Sequence, residues 1–379
     1  FQLMGLNGAF VTGDLFNLFV FFEVLLIASY VLLVHGQGRE RFRFGVPYVV
    51  LNLAASGLFL IGVALLYAAA GTLNLADLAQ RVGQVPAADA VLLRAGGMLV
   101  AALFALMTKV GVYAILRVHG VVFGEGAGGA AGLAAQWLLP LALATSLAAV
   151  LGALAARTLP RLVGWLTVAS VGTALAAVGL FTPAGWAAAI YYLVQSSLVV
   201  AALFLLAELV AAQRGEAAER LEPAGPVAQP ALLGTLMLLL AAAAIGLPPL
   251  PGFIGKLMIL QAAQGPMQPW LWTGVLLTGF LSLLGLARAG SLLFWSVDPS
   301  RGGGSAGASG PLLGATLALV DAMLAMTAAA APLQRYAAAA AAQLADRAGT
   351  ARAVLGDGPG AAPDAVRPYR PQDAQEGRR

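Results

Sequence analysis

Apolar runs of roughly twenty residues, separated by short stretches rich in Arg, Gly and Pro, fill most of this chain. A bilayer core about 30 Å thick is crossed by about 20 helical residues, so the pattern predicts membrane-spanning helices. The first complete runs lie at about 14–34, 46–69, between Arg94 and Arg117, and at 134–155, 162–180 and 185–210. After a charged loop at 213–222 come two shorter runs, 231–246 and 252–264, and then 270–295 and 311–332. The two short runs flank Gly246-Leu247-Pro248-Pro249-Leu250-Pro251-Gly252. Proline has no N–H to donate and clashes with the preceding turn, so the helix must interrupt there. Inside a bilayer an interrupted backbone survives only where protein buries it or it lines a polar cavity. Whether the two short runs make two crossings or one bent crossing is not decided by periodicity.

Composition turns this pattern into a fold class. The chain is 60% hydrophobic and 10% charged, whereas a soluble domain has about a quarter of its residues charged. The expectation is an all-α, polytopic membrane helix bundle embedded in lipid. No cysteine is present, which excludes disulfides and thiolate metal sites. Two histidines, His35 and His119, are too few for a histidine metal cage. No phosphate loop or nucleophile–base set appears either, so no cofactor and no metal are expected. The net charge of +4 comes mostly from Arg in loops and the tail; it suits a membrane surface and gives no reason to invoke nucleic acid. Residues 1–11 read as the end of an earlier apolar helix, so N-terminal helices are expected to be missing. The stretch 311–344 is read as the last membrane helix with a low-complexity alanine extension, and 345–379 as a disordered tail.

Of the 21 basic residues only two are lysines, Lys109 and Lys256, and both sit inside apolar runs. Lysine can release its proton when removed from water and arginine effectively cannot, so this usage points to proton exchange. Lys256 is the one charged residue between Glu222 and Arg288 and stands beside the proline break. Lys109 has Thr108, Gly111 and Tyr113 as small or polar neighbours; it lies eight residues from Arg117, about 12 Å of helix, too deep for a simple snorkelling reading. Glu23 stands alone among Phe and Leu, about 13 Å along a helix from Asp14. A lone intramembrane carboxylate must be protonated or paired, and is read as a proton carrier or a partner for a lysine. The alternative for Glu23 is a structural hydrogen bond to a neighbouring helix.

Uncharged polar groups supply the remaining candidates. Tyr192, Gln195 and Ser196, with Tyr191 and Ser197, cluster in one run; Ser170 and Thr173 lie in the run before it, and Thr145 and Ser146 in the one before that. They could order water between the charges or serve as interhelical hydrogen bonds. Asp321 lies mid-run without an evident partner and is a further relay candidate. Asp14 reads as a helix N-cap, Glu208 and Arg288 as interfacial, and His119 as a surface group at a span end. The Gly-rich stretch 124–132 reads as a linker. Arg39, Arg41 and Arg43 mark one membrane side, but Arg157, Arg161, Arg214 and Arg220 leave orientation open on charge alone.

Three stretches carry a family resemblance: GAFVTGDLFNLFVFFEVLLIASY at 8–30, KVGVYAILR at 109–117 and GLPPLPGFIGKLMILQ at 246–261. They resemble the antiporter-like membrane subunits shared by Mrp-type (Mnh, Pha) cation/proton antiporters and respiratory complex I, and most of all the D-type subunit of the Mrp antiporters. The resemblance covers roughly 1–332. It implies inverted five-helix repeats, the first (incomplete) at 1–157 and the second at 158–296, each with a broken helix that holds a key lysine. On that mapping Lys109 and Lys256 are symmetry mates, Glu23 pairs with Lys109, both halves of the proline-broken stretch are separate elements, and the loop at 39–43 is cytoplasmic. This chain departs in having Gln195 where complex I relatives often have His, so bound water would have to fill the path between the lysines.

The resulting expectation is a multi-pass subunit of the bacterial inner membrane. It moves protons through Glu23, Lys109 and Lys256 in exchange for Na⁺ or K⁺, within a hetero-oligomeric complex. The alternatives are a proton-pumping subunit of complex I or a membrane hydrogenase, and a structural scaffold subunit.

Overall fold

The computed structural model describes residues 1–35, 39–106, 108–124, 127–296 and 307–356. The described residues form helices joined by turns, with isolated backbone bridges and no strand. Among them, seven helical stretches are long and apolar enough to cross a membrane. The chain divides into two compact units, 1–134 with 343 onward, and 135–342. That division follows packing. The repeat boundary expected at 157/158 concerns internal symmetry, which packing does not address.

The first unit opens with α1 (Gln2–Val11), α2 (Leu15–Val34), α3 (Arg39–Ala70), α4 (Leu75–Arg81), α5 (Ala90–Leu106) and α6 (Thr108–Arg117). Asp14 is the N-cap expected from the sequence: its carboxylate accepts from the backbone N–H groups of Phe16 and Asn17, both at 2.9 Å. Asn74 does the same for α4, accepting from Ala76 at 3.0 Å and Asp77 at 3.3 Å. The two caps lie side by side, Leu15 donating to the Leu73 carbonyl and Leu75 to that of Gly13, each at 2.8 Å. Four orphan donors at each helix start need such partners, and the paired caps tie the entry of α2 to the entry of α4. Arg39 begins a helix instead of sitting in the loop expected at 36–44 between the first two runs; residues 36–38 of that loop, and residues 125–126 of the expected linker, lie outside the described residues.

The second unit contains α7 (Ala135–Leu154), α8 (Leu159–Val178), α9 (Pro183–Gln213), α10 (Pro230–Ile245), α11 (Pro251–Ala262), α12 (Gln268–Gly290), α13 (Gly310–Ala328) and the start of α14 (Ala330–Ala345). Helix α9 is its axis, packing on α8, α10, α11 and α13. Val163, Leu206, Leu233 and Leu240 from α8, α9 and α10 meet in a fully buried cluster. The charged loop after α9 is folded inward around Arg214, which is 4% exposed. Its guanidinium donates to the carbonyls of Ala218 at 3.2 Å and of Arg220 and Glu222 at 2.5 Å.

The proline stretch separates two helices, as the resemblance implies. Helix α10 ends at Gly246, whose φ of 87° is the left-handed conformation that glycine takes without strain. The N–H groups of Gly246 and Leu247 both return to the Ala242 carbonyl, at 3.0 and 2.9 Å. Helix α11 starts at Pro251, where a missing N–H costs nothing. The two backbones then cross closely: a Cβ on Gly252 would lie 1.9 Å from the Ala243 carbonyl oxygen.

One expectation is corrected. The tail assigned to disorder carries α15 (Arg347–Leu355), which packs on α4. The Arg347 guanidinium donates to the carbonyls of Ala79 at 2.6 Å and Val122 at 3.2 Å, and Ala351 is buried. Backbone carbonyls left over at the ends of α4 and of the 118–122 turn thus hold a helix that composition alone would leave unfolded. Residues 357–379 of the expected tail lie outside the described residues.

Gly252→Ala is expected to force α10 from α11 and to destabilise the protein by about 1–3 kcal/mol. Thermal unfolding of the detergent-solubilised protein measures this. Gly164→Ala, inside α8 where the added methyl meets no other helix or side chain within 4 Å, is the control and should not lower the melting temperature, since alanine favours a helix over glycine.

Candidate functional site

An α-helix ends with four carbonyls that its own N–H groups do not reach. In α10 these are Ala242 to Ile245. Ala242 is served by the turn itself. Ala243 accepts from Gln195 Nε2 of α9 at 3.2 Å. Ile245 and Ala244 accept from Lys256 Nζ of α11, at 2.6 and 3.4 Å. Lys256 therefore caps the helix that precedes its own. Its position one turn into α11, on the face turned to the break, follows from the Pro251 start and the close Gly252 crossing.

Beside this cap lies a cavity of about 30 Å³, lined by Lys256, Tyr192, Gln195 and Ser196. Ser170 and Thr173 of α8 add two hydroxyls to the wall, and Leu166, Val199 and Leu203 complete it. A water needs about 10–15 Å³ of such space and two to four polar partners, so the cavity fits about two waters. The hydroxyl hydrogens are taken up within each helix: Ser170 donates to Thr167 at 2.7 Å, Thr173 to Ala169 at 3.0 Å and Ser196 to Leu193 at 3.3 Å. Their oxygens keep lone pairs that can accept from water or from an ammonium. The relay candidates Tyr192, Gln195 and Ser196 are thus brought to Lys256. Gln195 acts first as a helix cap, a task not evident from its place in an apolar run.

Two lining residues, Thr278 and Ser282 of α12, escape a reading that ranks polar groups by clustering. They stand four apart, with Gly274 four earlier, so an i, i+4 scan of the 270–295 run would have found one small and polar stripe. Ser282 donates to the Thr278 carbonyl at 2.7 Å, and the Thr278 hydroxyl oxygen is buried without a partner among the described residues.

The first unit holds the other two candidates apart. The Glu23 carboxylate accepts a hydrogen bond from Ser56 of α3. Lys109 Nζ is buried and has no hydrogen-bond partner among the described residues. Among the same residues no ion pair joins the two, so the expected Glu23–Lys109 pair is not formed. Helix α2 packs mainly on α1 and α3, and α6 mainly on α5 and the 118–122 turn with a polar tie to Phe10 of α1. Residue 107, between α5 and α6, lies outside the described residues. Asp321 is exposed on α13 and does not line the cavity. His119, read as a surface group, is instead 1% exposed, stacked on Phe123 with ring centroids 5.3 Å apart. It is buried because the chain continues past Arg117 as a packed π-turn, Val118–Val122, and not as a loop.

With this geometry in hand, comparison with known proteins gives a consistent answer. Residues 12–104 and 91–282 match the family described as NADH:quinone oxidoreductase/Mrp antiporter, TM. The chain belongs to this family. Within the family it is 39% identical to a probable K⁺/H⁺ antiporter D-type subunit of Rhizobium meliloti (strain 1021), over 78% of this chain and 66% of that protein. It is 36% identical to a Na⁺/H⁺ antiporter D-type subunit of Bacillus subtilis (strain 168), over 79% of this chain and 65% of that protein. The chain thus spans just under two thirds of these relatives' length. It superposes on a chain of the Mrp complex from Dietzia sp. DQ12-45-1b with a TM-score of 0.77 at 26% identity, covering 93% of this chain and 78% of that one. On a chain of respiratory complex I from Thermus thermophilus the TM-score is 0.73 at 25% identity, covering 89% of this chain and 76% of that one. The family match comes in two stretches that overlap at 91–104. The overlap falls within α5, just ahead of Lys109.

Replacing Gln195 by Leu strands the Ala243 carbonyl in an apolar surround. The expected loss is about 1–2 kcal/mol, read as a lower melting temperature, with Gln195→Asn intermediate because its shorter side chain reaches less well.

Proposed function

We propose that this chain is the proton-translocating subunit of a multisubunit Na⁺ or K⁺/H⁺ antiporter of the bacterial cell membrane, working in a complex with other membrane subunits. The observation that carries the reading is Lys256: a lysine ammonium seated on the carbonyls of a broken helix, at the wall of a cavity with room for about two waters. The names of the relatives, D-type subunits of K⁺/H⁺ and Na⁺/H⁺ antiporters, support it.

The step assigned to Lys256 is simple. The ammonium hands one hydrogen ion to cavity water while the Ile245 carbonyl keeps the nitrogen in place. The neutral amine then takes another from the opposite side. Arginine can occupy the site and hold the carbonyls, but it does not release its proton. Lys109 is the corresponding carrier in the first unit, with Glu23, held by Ser56, as a separate acid and not its ion-pair partner. Monovalent cation crossing the other way would couple the cycle.

The likeness to the Thermus complex I chain supports a second reading, a redox-driven proton pump using the same side chains. Purification from native membranes separates the two: antiporter subunits alongside this chain favour the first, quinone- or iron–sulfur-bearing subunits the second. An inert scaffold predicts that neither lysine matters.

Lys256→Arg and Lys109→Ala are each expected to leave the complex assembled and to lower cation-driven proton exchange in everted vesicles at least about a hundredfold. Wild-type exchange in both variants overturns the proposal.

A further inference from the structure

Helix α6 carries Lys109, Tyr113 and Arg117 at spacings of four, so the three share one face with about 6 Å of rise between neighbours. Of residues 109–120, only these three and Val110 escape full burial. The far end of this face is tied to α1. Tyr113 donates its hydroxyl hydrogen to the Phe10 carbonyl at 2.8 Å, and its ring meets the Phe10 ring edge-on with centroids 4.8 Å apart. Arg117 donates to the Tyr113 oxygen at 2.6 Å and reaches the Phe10 carbonyl at 3.4 Å. Phe10 lies in the last turn of α1, so its carbonyl is one of those the helix leaves over.

A phenol oxygen can accept twice and donate once. Here Arg117 takes one acceptor position and the Phe10 carbonyl takes the hydrogen, which leaves one lone pair. Lys109 Nζ, one turn earlier on the same face, has no partner among the described residues. His119 lies off the stripe on a fully buried side of the turn.

We propose that hydrogen ions leave Lys109 along this face through the Tyr113 hydroxyl, with Arg117 as the residue that positions the phenol. The inference rests on the reading of Lys109 as a proton carrier and adds the route by which its proton reaches water. In the step, an N–H bond of the Lys109 ammonium breaks and an O–H bond forms at Tyr113. In the same movement the phenol's own O–H bond breaks and that hydrogen passes to a water at the half-buried end beside Arg117. The lysine is left as the neutral amine, the phenol is unchanged, and the water carries the charge away. The Phe10 carbonyl cannot take a proton, so the hydroxyl must swing from it to water in each passage; the Arg117 contact keeps the oxygen in place while it does so.

The test uses membrane vesicles bearing the whole complex, with cation-driven collapse of a pH gradient followed by a pH-sensitive dye. Tyr113→Phe keeps the ring packing on Phe10 and removes the transferable hydrogen; initial exchange should fall about tenfold, because stray water replaces a relay only in part. Tyr113→His, which again offers a group that accepts and donates protons, should recover most of the rate, a result that a purely structural role for the phenol does not give. Wild-type exchange in Tyr113→Phe, alongside a silent Lys109→Ala, overturns the route and leaves Lys109's role standing. Normal exchange in Lys109→Ala overturns the functional reading itself. Should Tyr113→Phe not assemble, Tyr113→His decides: near-normal exchange supports the route, and an assembled but silent complex overturns it.

Discussion

Backbone carbonyls at a helix end must find a hydrogen somewhere, and at bilayer depth water is not generally there to supply one. Much of what is distinctive in this chain answers that demand. At the end of α10 the donors are Gln195 and Lys256; at the end of α1 they are Tyr113 and Arg117; at the end of α4 the donor is Arg347. A lysine used in this way is not a charge dropped into oil. Holding a lysine at the centre of a membrane helix costs about 2.5–3.5 kcal/mol on insertion scales, and close contacts to two carbonyl dipoles, with a polar cavity alongside, offset part of it. The helix break and the buried amine therefore stabilise each other, which explains why the only charge between Glu222 and Arg288 sits at the break.

The two lysines differ in a way that bears on their chemistry. Lys256 is held by carbonyls whether or not it carries its extra proton, because an amine still has hydrogens to donate. Its nitrogen can stay in place through a cycle. Lys109 has no such anchor among the described residues. A buried ammonium without acceptors is poorly solvated, and the polar groups available to it lie along its own helix face. If both carry protons as proposed, a lysine fixed beside a polar cavity suits exchange with confined water, and one without an anchor suits release along its own helix face.

Much of the fold was legible in the residues. Run length alone placed the membrane helices, because hydrocarbon thickness dictates it; the proline cluster placed the break; Thr12-Gly13-Asp14 placed a cap. Lys256 was legible for a related reason, since two local signals, an ionisable group and a broken helix, coincide within eleven residues. What stayed hidden depends on which helices touch. Glu23 and Lys109 both read as lone charges in apolar runs, but nothing local says that the Glu23 carboxylate meets Ser56 of α3. Ser56, the group that answers Glu23, is one hydroxyl among several on α3. Thr278 and Ser282 have meaning only once α12 is known to close the Lys256 cavity. His119 and α15 misled for the same cause. Position at the end of a run and polar composition both suggest solvent, and each is overridden by packing onto neighbours that the residues themselves do not name.

Among the described residues, Lys256 is the one charged side chain lining its cavity, and this bears on the proposed mechanism. With Gln195 committed to the Ala243 carbonyl, the other polar side chains lining the cavity are hydroxyls and a phenol, groups that orient water but do not store a proton near neutral pH. On the proposed reading, storage is then confined to the lysine, and conduction to water in the cavity. Such a site would be governed by hydration, so a change in the room for those waters would act on the proposed transfer without altering the charge. On the proposed reading, proton movement in this unit would depend on cavity volume as much as on the ionisable residue, and Gln195, which lines the cavity, also lies beside the close crossing at Gly252.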